Sequence, residues 1–201
     1  SLTSAPINFE VTATDSEEGQ YRTTYGAENV LTDDERYFMA SKATNLHMVF
    51  NAVGKDAEVL LQEVSIRTQR YQQGFFGLVF VGQKPPEIDS FAQFDNYTQS
   101  HYQIWLDRKR ASRQPWRAHE PVGFFSSVDY QARVKLDQPK RARYITVKLS
   151  SNTARNGKQR PAVSNELPAP SVTRNCCLMA AATDWRAGLM IERVKFTCIP
   201  G

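Results

Sequence analysis

Seven stretches of this chain read as strands: five alternate apolar and polar side chains with a period of two, and two are apolar runs. In Ile7-Asn8-Phe9-Glu10-Val11-Thr12-Ala13 the odd positions are apolar. Leu60, Val64 and Ile66 alternate, with an irregularity, against Leu61, Glu63, Ser65 and Arg67. Val134 and Leu136 alternate with Arg133, Lys135 and Asp137; Ile145, Val147 and Leu149 with Tyr144, Thr146 and Lys148. Val194, Phe196 and Cys198 alternate with Arg193, Lys195 and Thr197. His47-Met48-Val49-Phe50 is a short apolar run, and Phe75–Val81 is apolar on both sides, as a central strand is. A strand with one apolar side must bury it against a second layer. Helical signal is confined to short pieces at Gly26–Leu31, Asp89–Phe94 and Trp105–Arg113. Many strands with few helices predict an all-β fold, a sandwich or a barrel. The last strand is expected near the first, because an open edge is costly.

At 201 residues the chain can bury a core without staples, and 11 Phe, 8 Tyr and 3 Trp supply its bulk. We read residues 1–201 as one domain with loop insertions at about 82–127 and 150–185. Loops this long are uncommon unless they carry function or are disordered. The first holds Phe91, Phe94, Tyr97, Tyr102, Trp105, Trp116, Phe124 and Phe125, and is expected to pack over the sandwich. The second, around Arg160–Thr173, is expected to be the more mobile.

Chemistry-bearing motifs are few. His47, His101 and His119 lie far apart without metal-ligand spacing, and Cys176-Cys177 lacks the spacing of a zinc site. No phosphate-binding glycine loop and no nucleophile elbow is present. Asp33-Asp34-Glu35 offers oxygens to Ca²⁺ or is a solvated turn, and both readings stand at this point. These features predict a non-enzyme without a cofactor. Three cysteines are a poor disulfide framework; reduced thiols and an intracellular location follow, with a Cys198 bridge to Cys176 or Cys177 as the alternative. No apolar run approaches the roughly 20 residues of a membrane span, and no signal peptide is visible.

Charge is unevenly spread. Residues 1–60 carry 10 acidic and 4 basic side chains, so the rest of the chain holds +10 against a net +4 overall. Two runs concentrate it. One comprises Arg108, Lys109, Arg110, Arg113 and Arg117; the other, from Arg133 to Arg160, includes Lys140, Arg141, Arg143 and Lys148. They read as an anion-attracting basic patch or as solvated surface.

The order of motifs resembles galactose-binding-like jelly rolls of the discoidin (coagulation factor 5/8 type C) kind. Gly26–Asp34, leading into Tyr37-Phe38-Met39-Ala40-Ser41, is similar to their opening loop, although Phe38-Met39 stands where those domains carry Trp. Leu61–Arg67 and Leu78–Gly82 are similar to the next two strands. Within this superfamily the chain resembles DOC domains of ubiquitin ligases, through Tyr144–Leu149 followed by Asn152 and Asn156-Gly157-Lys158, and through Met190–Ile199. The resemblance implies a jelly-roll β-sandwich that serves a larger parent chain as a protein or peptide recognition module. Its site would combine two loops: Tyr21, Arg22, Asp33, Asp34, Tyr37 and Ser41 from one, and Asn152, Asn156, Lys158 and Arg160 from the other. A glycan follows from the discoidin likeness and a nucleic acid from the basic runs, as alternative partners.

Overall fold

The computed structural model describes residues 8–14, 22–54, 57–70, 74–152 and 188–199. Nine strands are present among them: β1 (Phe9–Thr14), β2 (Phe38–Met39), β3 (Leu46–Ala52), β4 (Val59–Thr68), β5 (Phe75–Gly82), β6 (Gly123–Ser126), β7 (Gln131–Ala142), β8 (Tyr144–Ser151) and β9 (Met190–Ile199). They form a five-stranded sheet in the order β1-β3-β8-β5-β6 and a four-stranded sheet in the order β2-β9-β4-β7. Every pairing is antiparallel. The chain crosses from one sheet to the other at every connection between consecutive strands except β5–β6. The fold is an all-β jelly-roll sandwich, the class that the alternation predicts.

The inner faces supply one core. Leu46, Met48 and Phe50 of β3, with Ile145, Val147 and Leu149 of β8, face Leu61, Val64 and Ile66 of β4, Val134 and Leu136 of β7, and Val194 of β9. Phe196 of β9 bridges the layers, its ring 4.7 Å from Phe9 and 5.0 Å from Phe50. The last strand therefore meets the first across the core. It hydrogen-bonds β2 and β4, not β1, which corrects the expected edge pairing. The irregularity in the β4 alternation is a register shift between Leu61 and Glu63: against β9 it is the one extra residue of a bulge, and against β7 the chain steps from Lys140 to Lys135.

The outer face of the five-stranded sheet is also dry. Leu78 and Phe80 of β5 point away from the main core into a second cluster with Phe91 and Phe94. Those rings come from the segment between β5 and β6, which packs over the sheet as its aromatic content predicts. Ile88–Phe94 is a 3-10 helix, and α2 (Gln99–Ser112) follows the one-turn α1 (Arg22–Tyr25) in chain order. α2 begins six residues before the expected Trp105, behind Thr98. The Thr98 hydroxyl accepts from the His101 N–H at 3.2 Å, and the Thr98 N–H donates to His101 Nδ1 at 3.3 Å. The ring of Phe80 lies 4.2 Å from Phe91 and 5.7 Å from Phe94.

This covering buries a charge. Lys148, at an outward position of β8, keeps only 3% of its surface. Its ammonium donates to the Phe91 carbonyl at 3.2 Å, pairs with Asp95, and lies 3.1 Å from His47 Nε2. The His47 ring stacks on Phe91 at 5.9 Å. The sequence places Lys148 in a basic run, whereas the fold makes it an internal clasp. Close approach also shapes β5, where a Cβ on Gly77 would meet the Lys148 carbonyl at 1.9 Å and the Phe125 ring at 2.6 Å.

Two outcomes follow for unfolding in urea. Gly77→Ala must displace the β8 backbone or Phe125, and should cost about 3 kcal/mol. Asp95→Ala strands a buried ammonium and should cost about 1–3 kcal/mol. Lys148→Met should cost less than Asp95→Ala, because the half-exposed Asp95 carboxylate it frees can be hydrated. The reverse order would show that Asp95 does not compensate the Lys148 charge.

Candidate functional site

β4, β7 and β9 lie side by side, so their outward residues share one surface. Cross-strand pairs place Ser65 between Arg133 and Lys195, and Arg67 between Gln131 and Arg193. At the end of the sandwich where β6 turns into β7, the connection Ser127–Tyr130 forms a wall. Asp129 there has φ 57°, and Val128 is 78% exposed. Sheet and wall enclose an open groove of about 770 Å³. Arg67, Gln131, Arg133, Arg193 and Lys195 line it with donors, and Asp129 is the carboxylate in the lining.

Carboxylates beside the groove hold these cations in place. Arg67 Nε lies 2.7 Å from Glu192, Arg133 Nε 2.7 Å from Glu63, and Arg193 donates to Asp33 Oδ1 at 2.9 Å and to the Asp34 carbonyl at 3.1 Å. Lys195 Nζ is 3.8 Å from the same Asp33 oxygen. Glu63, Glu192 and Asp33 stand outside the lining. The Nε–H groups of Arg67 and Arg193 are buried without a directed hydrogen bond among the described residues. For Arg67 the 2.7 Å approach to Glu192 is thus an ion pair whose geometry is off the N–H axis. Tyr130 also lies in the lining, with the Arg70 guanidinium 5.9 Å from its ring centre.

The site expected from the loops is partly assembled. Asp33 is the groove's flank. Asp34 is engaged locally, by the Thr32 hydroxyl at 2.8 Å and by the Arg36 N–H at 3.0 Å and guanidinium at 2.6 Å, which together hold its carboxyl below the usual value. No group of three His, Cys, Asp or Glu side chains gathers for a metal among the described residues. Tyr37 packs on Tyr25 at 4.9 Å; burial, then the neighbouring Tyr25, push its phenol up. Ser41 is exposed just after β2, in the loop whose Ala43 carbonyl accepts from the Ser151 N–H at 2.7 Å. Asn152 follows, its N–H donating to the Gly74 carbonyl at 2.7 Å, so Ser41 and Asn152 share one end of the sandwich. Arg22 lies in α1. Tyr21, Asn156, Lys158 and Arg160 lie outside the described residues, as do Cys176 and Cys177; Cys198 forms no disulfide among the described residues, and burial pushes its thiol up.

The basic patch divides. Lys109 turns inward from α2, where its ammonium bonds the Pro115 carbonyl at 2.8 Å and Glu120 at 2.8 Å. Arg110 pairs with Asp137 of β7, and Arg141 with Glu58 at 3.2 Å. Lys140 sits over the Trp116 ring at 5.3 Å. Arg143 is half-buried at the turn between β7 and β8, its N–H donating to the Gly82 carbonyl at 3.0 Å. Arg108, Arg113 and Arg117 are exposed. Near Arg110, burial and then the Asp137 charge push the Tyr102 phenol up to about 12. Sequence reasoning missed Arg67, Arg193 and Lys195 as members of one surface. They are single cations on separate strands, and only the register brings them together.

No family model and no curated protein matches the chain. Two solved structures are similar to it. One is reduced XRCC1 bound to the DNA polymerase β catalytic domain, at 14% identity and a TM-score of 0.49, covering 96% of this chain and 99% of that one. The other is the family 32 carbohydrate-binding module of NanJ from C. perfringens in complex with galactose, at 10% identity and a TM-score of 0.40, covering 71% and 88%. At this identity the likeness is one of fold.

The Lys109–Glu120 pair gives a pH dependence. Burial raises the Glu120 carboxyl, but the Lys109 hydrogen bond, the Arg117 N–H and the charges of Lys109 and His119 outweigh it and hold it below 4.5. A depressed folded value means that the stabilisation is present above about pH 4.5 and is lost as pH falls through the folded value. Glu120→Gln should therefore lower stability at neutral pH by about 1–3 kcal/mol, and the difference should shrink below about pH 4 in urea titrations.

Proposed function

We propose that this chain is a non-catalytic recognition module that holds an extended protein segment in the groove across its four-stranded sheet. The carrying observation is the lining itself: four cations and Gln131 on a rigid sheet, against Asp129. Such donors orient carbonyl and carboxylate oxygens, and guanidinium groups fixed by neighbouring carboxylates lose little freedom on binding. The occupant that complements this lining is a segment rich in Asp and Glu. Val128 at the rim offers apolar contact beside it. The imidazoles near the chain's other polar clusters have structural work: His47 belongs to the Lys148 clasp, and His101 caps α2.

Within that reading, the resemblance to DOC domains implies a degron or partner segment presented to a ubiquitin-transfer module elsewhere in a larger parent. This finer role rests on the sequence likeness through Tyr144–Leu149, Asn152 and Asn156-Gly157-Lys158. The Asn152 end of the sandwich is the end where Ser127–Tyr130 walls the groove. The Ser127 and Asn152 N–H groups flank β5 there, donating to the Phe75 and Gly74 carbonyls.

Selection from a displayed random peptide library should enrich acidic peptides. Their affinity, read by fluorescence anisotropy, should fall about tenfold in the Arg133→Gln/Lys195→Gln double variant, near the sum of two surface charge contacts. Both side chains are well exposed, so the variant should melt like wild type. Failure to enrich any peptide, or enriched peptides indifferent to this variant, would remove the groove as the site.

A further inference from the structure

Charges that stabilise nothing inside a protein raise its self-repulsion without structural return. Arg108, Arg113 and Arg117 are such charges: all three are exposed, and among the described residues their guanidinium groups pair with no carboxylate. They are not loosely held. Lys109, with 7% of its side chain exposed, anchors the loop that follows α2 through the Pro115 carbonyl and Glu120, each at 2.8 Å. Glu120 in turn accepts from the Arg117 N–H at 3.0 Å, and the Trp116 indole donates to the Pro121 carbonyl at 2.9 Å. Lys140 of β7 stands over that indole at 5.3 Å. One buried cation thus fixes a turn that displays several free ones.

Arg113 carries a further sign. It closes α2 in the left-handed region, φ 55° and ψ 16°, where glycine is the low-energy choice. An arginine there is unfavourable for the helix cap: its N–H donates to the Arg110 carbonyl at 3.3 Å, but its side chain makes no hydrogen bond or ion pair among the described residues.

We infer that this platform, Arg108, Arg113, Arg117 and Lys140, binds the phosphate backbone of a nucleic acid. Guanidinium groups match phosphate oxygens in pairs of parallel hydrogen bonds. Arg108 and Arg113 stand at the end of α2, Arg117 in the turn after it and Lys140 on β7, and a charged strand needs only such points, whereas an acidic peptide gains little from separate exposed charges. The surface is separate from the acidic-peptide groove proposed above and does not depend on it.

Anisotropy of a short fluorescein-labelled duplex of mixed sequence, and of one of its strands, tests the inference across a salt series. Four neutralised phosphates give a slope of log K against log salt of about −3.6 for the duplex and about −2.8 for the strand. Arg113→Glu/Arg117→Glu should reduce affinity at least tenfold and roughly halve the slope. Arg113→Gly should raise the melting temperature while weakening binding, a split that a merely structural role for Arg113 does not produce. Arg133→Gln/Lys195→Gln should bind nucleic acid like wild type. The inference is overturned by absence of salt-dependent binding, or by binding unmoved by charge reversal. It is equally overturned by a platform that binds poly-glutamate and not nucleic acid, or by loss that tracks the groove variant instead.

Discussion

One buried ammonium decides where a fifth of this chain can lie. Lys148 is on β8, the middle strand of the five-stranded sheet, and points away from the main core. In a two-layer sandwich that position is wet. Here the β5–β6 segment lies over it, and the charge persists there because Asp95 and the Phe91 carbonyl answer it beside His47. A buried pair of this kind contributes little net stability but penalises any docking that leaves the ammonium bare. The Phe80–Phe91 contact supplies the apolar attraction, and Lys148 supplies the register. Once Phe91 and Asp95 are fixed, Thr98 starts α2 a few residues on, and α2 delivers Lys109 and the turn after it to β7.

The sandwich was legible because its signal is repeated: each strand with one buried face shows period two, and β5 shows apolar residues on both faces because both are covered. What escaped has physical causes. β2 and β6, of 2 and 4 residues, are too short for alternation to register. α2 buries only Leu106 and Lys109, so it has no apolar stripe, and its start is set by a Thr98–His101 cap in place of the acidic one that is easiest to recognise. The polar positions of β8 look solvent-facing, since a sequence shows which side a residue takes and not whether that side is later covered.

The same limit governs the two charged surfaces, in opposite directions. Arg108-Lys109-Arg110 is contiguous and reads as one patch, yet successive residues of a helix turn by about 100°, so the three separate to solvent, to the interior and to Asp137. Arg67, Arg193 and Lys195 are scattered through the sequence and read as nothing, yet a strand register sets them in adjacent rows beside Arg133. Contiguity predicts a shared surface poorly in both helices and sheets; register predicts it well but requires the fold.

β7 connects these surfaces. Arg133 faces the groove near its start, while Asp137 and Lys140 meet α2 and Trp116 toward its end. Arg133 pairs with Ser65 and Lys140 with Leu61, only four β4 residues apart, because residues 136–139 have no β4 partner; the separation is about 13 Å at the usual rise. That exceeds the Debye length of about 8 Å at physiological salt, so exposed charges at one end are partly screened from the other. A ligand in the groove and a polyanion on the platform would therefore repel each other weakly through the field, and less as salt rises. Any further coupling would pass through β7 itself, which pairs with β4 over Gln131–Lys135 and Lys140–Ala142 and is anchored in the core through Ala132, Val134 and Leu136. The break in pairing lies between the two surfaces, and sites this far apart that share no partner bind with nearly additive energies.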